Sequence, residues 1–219
     1  MIEIENVETY GWRAAIRGMR NPMNSWDKSD SMPDEEMMCD FEGGGGCFTP
    51  SDSGYHIGPN DMKLMTTLKD AGTDHGKFLR MIGVSLDITA PLYWWKEFDT
   101  YKVGTVANSC STMHKIAAKE FVQDDFSCEN LYSDSIICLE DTIHMLNKYR
   151  DRFNETKDKA DWWQMIQLLP SSYNQRRTVT LNYQVLRNMY AARKAHKLDE
   201  WREFCKWVES LPYAELICE

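Results

Sequence analysis

The spacing of apolar residues along the chain predicts alternating helices and strands. A first helical pattern consists of Trp12, Ala15, Ile16 and Met19. A second runs from Met62 to Leu68 and ends at Gly72, a residue that commonly terminates helices. Between Phe78 and Ile88 the period changes to two, since every second residue from Ile82 onward is aliphatic. That alternation is typical of a half-buried β-strand and is the clearest strand pattern in the chain.

Further helices and one more strand are predicted in the second half of the chain. Thr89-Ala90-Pro91 predicts a helix start, because threonine accepts from free first-turn amides and proline loses no needed donor there. The later helical patterns are Ile143 to Phe153, Trp162 to Leu169 before Pro170, Asn182 to Ala195, and Leu198 to Val208. Thr178 to Leu181 predicts a short strand. We therefore expect an α/β fold, with a mixed or antiparallel sheet flanked by helices, in a single domain over residues 1–219.

Composition and charge narrow the class of protein. The chain has 219 residues, of which 42% are hydrophobic and 27% charged, as in ordinary folded domains. A net charge of -9 argues against duplex nucleic acid as a partner. Seven cysteines without CxxC spacing predict neither a disulfide framework nor a zinc ribbon. With no apolar run that indicates a membrane span, we expect a cytoplasmic protein without a membrane partner.

The segment from Asp27 to Asn60 differs from the rest of the chain. It carries eight acidic residues against Lys28 alone and includes the glycine run Gly43 to Gly46. Such a composition favours a solvated loop insertion, with a lid or partner-binding segment as the alternative. The glycine run lacks the lysine and hydroxyl residue of a P-loop.

Several residues give the chain a resemblance to the flavin-dependent thymidylate synthase family. Gly72-Thr73-Asp74-His75 looks like the family's histidine segment beside the flavin, and Thr89-Ala90-Pro91-Leu92 looks like its strand-to-helix corner. After Leu169-Pro170, the spacing of four further residues is similar to that of the family's C-terminal half; they are Arg176, Asn182, Asn188 and Arg193. The resemblance covers most of residues 61–212.

The resemblance implies roles for individual residues. Arg176 would hold the nucleotide phosphate, and Arg193 would face and polarise the pyrimidine as the catalytic residue. His75, Asn182 and Asn188 would contact the flavin. These residue types suit the task, because a guanidinium presents a planar fork of donors and an asparagine amide offers a donor and an acceptor to a heterocycle.

The family signature itself is largely replaced in this chain. It reads Arg-His-Arg, two residues, Ser, one residue, Asn-Glu, one residue, Ser, one residue, Arg-Tyr. Counted without gaps, the corresponding residues are Thr100-Tyr101-Lys102, Thr105, Ala107-Asn108, Cys110 and Thr112-Met113. Lys102 alone retains a positive charge among the arginine counterparts and is expected to help bind the flavin. The altered signature argues against ordinary conversion of dUMP to dTMP.

The expected function is therefore that of a divergent homologue which binds a nucleotide, together with FAD as the resemblance implies. Reduced folate and NADPH would be needed only if the family reaction survives. The family's sites are shared between subunits, so the resemblance also implies a homotetramer. The alternative is a noncatalytic interaction protein that reuses the oligomeric scaffold to bind a nucleotide or a protein partner.

Overall fold

A computed structural model describes residues 1–36 and 53–218 of the chain. The fold is α/β, with an antiparallel sheet flanked by helices, which confirms the predicted fold class. The described chain divides into two compact units. The first unit consists of Met1–Glu5, Asp87–Thr100 and Ala107–Thr178, and the second of Asn6–Leu86, Tyr101–Val106 and Val179–Glu219. The prediction of a single domain stays a prediction.

The strands of the described chain form a larger and a smaller sheet. Their bounds are β1 Glu3–Tyr10, β2 Met32–Pro33, β3 Tyr55–His56, β4 Gly83–Pro91, β5 Val106–Ser109 and β6 Asn174–Asn182. The larger sheet has the order β1-β4-β6-β5, and β2 pairs with β3 in antiparallel register. The apolar alternation predicted the central strands β4 and β6. It missed the edge strands β1 and β5, because most of their residues are exposed and show no alternation.

The helices agree with the predicted pattern at most positions. Their bounds are α1 Trp12–Arg20, α2 Pro59–Asp70, α3 Leu92–Phe98, α4 Thr112–Lys115, α5 Ser133–Thr156, α6 Lys159–Leu168, α7 Tyr183–Arg193 and α8 Asp199–Glu209. Short 3-10 helices lie at Asn21–Met23, Trp26–Lys28, Gly76–Arg80, Gln123–Asp125 and Ala214–Leu216. No helix among residues 1–36 and 53–218 is long and apolar enough to span a bilayer.

The start of α3 corrects one local prediction. β4 continues through Thr89 to Pro91, and Pro91 occupies the N-cap position without a side-chain cap. The first helical amides are instead satisfied by backbone carbonyls, since Leu92 N donates to Tyr173 O and the next amide donates to Ser171 O, both at 3.0 Å. Backbone atoms of the first unit thus replace the predicted threonine cap.

The first unit has its own apolar core beneath α5 and α6. The core residues are Ile116, Ala117, Phe121, Phe126, Leu139, Leu146 and Met165. Phe121 is fixed at the backbone by Asn147 of α5, which accepts from its amide and donates to its carbonyl. This core supports the chain segment that follows α4.

In the second unit, α1 packs its apolar face inward and Gly11 sets its position. Trp12 is buried and meets the ring of Tyr183 edge-on, with centroids 5.2 Å apart. Gly11 has a φ of 91°, and a Cβ there would lie 2.1 Å from Met81 O. No residue with a side chain fits this approach, so glycine is required before α1.

A buried ion pair joins α1 to α2 within the second unit. Arg20 and Asp61 are 4% and 0% exposed, and Arg20 Nε donates to Asp61 Oδ1 at 2.6 Å. The remaining guanidinium nitrogens donate to the carbonyls of Ser25 and Lys28. Burial raises the pKa of Asp61, but hydrogen bonds from nearby serines and from Arg20 outweigh burial and leave that pKa below its usual range.

The acidic segment from Asp27 to Asn60 contains regular structure where it is described. The end of the 3-10 helix Trp26–Lys28, the β2–β3 pair and the first residues of α2 all lie within it. The glycine run Gly43 to Gly46 lies outside the described residues. The expectation of a loop throughout the segment is therefore corrected for its flanks, where backbone pairing and the Asp61 hydrogen bonds provide order.

We predict that Asp61→Asn destabilises the protein by about 3–5 kcal/mol, because it leaves the Arg20 charge buried without a counterion. Urea unfolding near neutral pH measures this difference. The native pKa of Asp61 is lowered, so the stabilisation is complete above the unfolded pKa of about 3.9 and is lost as the pH falls through the native pKa. Asp74→Asn, at an exposed position, is the control and should change stability by less than about 0.5 kcal/mol. Equal stability of the two variants at neutral pH would contradict the prediction.

Candidate functional site

The residues predicted to bind ligands fall into both compact units. Arg176 lies on β6 in the first unit. The other predicted residues belong to the second unit, and they are His75, Lys102, Asn182, Asn188 and Arg193. Three of the second group lie along α7, with Asn182 at its N-cap, Asn188 in its middle and Arg193 in its last turn. We call the polar residues of this helix and their neighbours the α7 cluster, which consists of Asn182, Gln184, Asn188, Arg193, Tyr101, Thr105 and Trp201.

Arg193, in the last turn of α7, is held by two aromatic side chains. Its Nε donates to the Tyr101 hydroxyl at 3.0 Å. Its guanidinium carbon lies 5.7 Å from the Tyr101 ring centroid and 4.9 Å from that of Trp201. Contacts of a guanidinium with aromatic faces are favourable and restrict its orientation. The orientation of the half-buried Arg193 is therefore fixed by these two side chains.

Asn182 has a structural task at the start of the same helix. Its Oδ1 accepts from the Val185 amide at 3.1 Å and caps α7. Gly104 passes close to the other end of this side chain, because a Cβ at Gly104 would lie 3.1 Å from Asn182 Nδ2. Gly104 has a φ of 79°, so both backbone conformation and space favour glycine here. The exposed Lys102 is two residues away in this same turn.

A buried glutamine that the sequence analysis missed lies between the two predicted asparagines. Gln184 is 7% exposed and donates from Nε2 to Asn188 Oδ1 at 3.0 Å. Its Oε1 has no hydrogen-bond partner among the residues that the structure describes, and neither does the buried hydroxyl of Thr105. Leaving such a group unsatisfied costs about 1–3 kcal/mol. In the sequence, the signal for Gln184 was its spacing of two residues from Asn182 and four from Asn188.

His75 does not join the α7 cluster through any described contact. It is exposed and occupies the N-cap position of the 3-10 helix Gly76–Arg80 without a side-chain cap, and its amide donates to Gly72 O at 3.0 Å. The predicted flavin contact of His75 therefore stays a prediction.

Arg176 is engaged by carboxylates within the first unit. It donates from Nη1 to Glu5 Oε2 at 2.6 Å and from Nη2 to Asp87 Oδ2 at 2.8 Å. Its neighbour Arg177 points elsewhere and lies over the Trp95 ring at 4.2 Å. A phosphate bound by Arg176 would have to share or replace these two carboxylates. The proposed phosphate role of Arg176 stays a prediction as well.

Arg176 lines an open cleft of about 780 Å³ in the first unit, which we call the β6 cleft. Cys110 and Thr112, the counterparts of signature residues, also line it. Its charged lining includes the Lys119–Asp125 ion pair and the exposed Lys115, which forms no ion pair with the described carboxylates. The volume is within the range of small-molecule sites, and the mixed charge suits a polar ligand.

Comparison with solved structures shows that the chain has the fold of flavin-dependent thymidylate synthases. Two structures of the enzyme ThyX from Helicobacter pylori, each with FAD and dUMP, are similar to this chain at 15% identity. The first aligns with a TM-score of 0.67 over 98% of this chain and 97% of the ThyX chain. The second aligns with a TM-score of 0.65 over 99% of this chain and 96% of the ThyX chain. The UMP/dUMP methylase PolB from Streptomyces cacaoi, bound with 5-Br dUMP, has a TM-score of 0.58 at 12% identity, with 96% and 89% covered.

Comparison of the sequence with protein families finds no match, and neither does comparison with curated proteins. The likeness is therefore one of fold.

We predict that Asn182→Ala destabilises the protein by about 0.5–2 kcal/mol through loss of the α7 cap, whereas Asn182→Asp does not. Aspartate keeps the accepting oxygen at the N-cap and complements the helix dipole. Urea unfolding of both variants is the measurement. Equal losses in both variants would show that the cap is not what Asn182 contributes to stability.

Proposed function

We propose that this chain is a divergent homologue of flavin-dependent thymidylate synthases that binds a nucleotide and FAD. The observation that carries the proposal is the α7 cluster, in which an oriented Arg193 and an unsatisfied buried amide occur together. It occurs in a fold whose solved neighbours hold FAD and dUMP.

The residues of the α7 cluster fit a flavin. Gln184 Oε1 lacks a donor, so it suits a ring N–H or a ribityl hydroxyl of the cofactor. Asn188 is exposed on the same face of α7, and Lys102 offers a positive charge for a phosphate. A bound flavin would supply hydride transfer, which no side chain of the chain can provide.

The nucleotide would use the two arginines differently. Arg193 has a planar guanidinium oriented by the Tyr101 and Trp201 rings beside it, which suits the imide edge of a pyrimidine. Arg176 would bind the phosphate in exchange for its carboxylate partners. The proposal is confined to binding, because Lys102 is the one charged side chain among the counterparts of the signature arginines. Assembly as a homotetramer remains part of the proposal.

We predict that Gln184→Met weakens FAD binding about tenfold while leaving stability unchanged or increased. Methionine has a similar volume, and it removes both the unsatisfied oxygen and the bond to Asn188. Quenching of flavin fluorescence measures affinity, and urea unfolding measures stability. Asn130→Ala, at an exposed position in the first unit, is the control. Unchanged FAD affinity of a folded Gln184→Met protein would exclude this residue from the flavin site.

Arg193→Gln and Arg176→Gln test the nucleotide roles as a pair. We predict that Arg193→Gln weakens the binding of dUMP and of deoxyuridine by the same factor, about tenfold or more, because Arg193 would contact the base that both ligands share. Arg176→Gln should weaken the binding of dUMP and leave the binding of deoxyuridine unchanged, because deoxyuridine carries no phosphate. Calorimetric titration measures all four affinities. Unchanged dUMP affinity in both folded variants would overturn the assignment of these arginines to the nucleotide. Undetectable dUMP binding to the unmodified protein would overturn the nucleotide proposal and favour an interaction protein that binds a protein partner.

A further inference from the structure

A second polar pocket lies against α1, within the second unit. It has a volume of about 270 Å³ and shares no residue with the α7 cluster. Its lining residues are Arg13, Ile16, Arg17, Arg20, Trp26, Ser29, Ser31, Pro33, Glu36 and Tyr55. We call it the α1 pocket.

The wall of the α1 pocket is fixed by the buried Arg20–Asp61 pair. Ser29 and Ser31 each donate from Oγ to Asp61 Oδ2 at 2.7 Å, and the Asp30 amide donates to the same oxygen at 3.1 Å. All the nitrogens of Arg20 are used within this network. Arg20 is therefore held inside this network and forms part of the pocket wall.

Arg13 and Arg17 differ from Arg20, because neither forms an ion pair within the part of the chain that the structure describes. They lie four residues apart on α1, both are exposed, and no carboxylate that the structure describes forms an ion pair with either. Like charges one helical turn apart repel each other. In a chain with 34 acidic and 25 basic residues, two arginines beside one cavity with no carboxylate partner among the described residues indicate a place for an anion.

The other lining residues of the α1 pocket include an indole ring and a phenol. Trp26 is 50% exposed, and its indole nitrogen donates to Asn21 Oδ1 at 2.8 Å, which fixes the ring orientation. Tyr55 lines the same pocket as Arg13; burial raises the pKa of its phenol, and the positive charge of Arg13 opposes that increase. Glu36, at an exposed position, is the acidic residue among the lining residues, so the two exposed arginines leave a net positive charge.

We propose that the α1 pocket binds the phosphate group of a small phosphate monoester that carries a planar ring. Arg13 and Arg17 donate to the phosphate oxygens, since a guanidinium matches phosphate geometry with two donors at once. The planar part of the ligand stacks on Trp26. This site is additional to the nucleotide and flavin binding proposed above and does not depend on it.

Calorimetric titration with inorganic phosphate and with phenyl phosphate tests the proposal. Phenyl phosphate carries no pyrimidine, so it separates this pocket from a base-recognition site. We expect the double variant Arg13→Gln/Arg17→Gln to bind both probes about 100-fold more weakly than the unmodified protein. Trp26→Ala should bind phenyl phosphate no more tightly than inorganic phosphate, and its affinity for inorganic phosphate should equal that of the unmodified protein. Circular dichroism confirms that each variant is folded.

Arg80→Gln is the matched control, because Arg80 is an exposed arginine of the second unit outside the pocket. It should bind both probes with unchanged affinity. Undetectable binding to the unmodified protein, or equal affinity in the double variant, would overturn the proposal. An equal loss in Arg80→Gln would also overturn it, because general electrostatic attraction would then explain the binding.

Discussion

The ion pair between Arg20 and Asp61 is the constraint on which the N-terminal half of the second unit depends. Both side chains are buried. Each nitrogen of the Arg20 guanidinium and each carboxylate oxygen of Asp61 has a hydrogen-bond partner. Burying such a pair costs desolvation free energy, and removing one partner costs several kcal/mol more, roughly 3–5. The pair therefore contributes mainly by specifying one arrangement of α1, α2 and the chain between them. The α1 pocket exists because this network holds residues 25–31 in place.

A different arrangement supports the α7 cluster. Here an aromatic pair orients Arg193, and the helix cap at Asn182 fixes the start of the helix that carries the other polar residues. The unsatisfied oxygen of Gln184 is a cost to the folded protein that a ligand would remove. Under the proposed function, stability and flavin binding make opposite demands at this residue.

The central elements could be predicted from sequence because burial imposes a period. β4 and α7 are buried on defined faces, and their residues follow the expected alternation or helical spacing. The edge strand β1 escaped prediction because it carries mostly exposed residues. For the candidate site, the family resemblance pointed to Asn182 and Arg193. Gln184 was recognised only from its burial and from an oxygen without a described hydrogen-bond partner, which are properties of the fold. The carboxylate partners of Arg176 come from distant segments and left no local pattern.

The visible absorption spectrum of the purified protein, followed by identification of any small molecule released on denaturation, tests the central claim most directly. Bound flavin has a visible chromophore, and a bound pyrimidine nucleotide does not. The account predicts flavin in the protein as purified or after addition of FAD. Absence of flavin even with excess FAD would contradict the proposed cofactor site at α7, whatever the protein binds elsewhere.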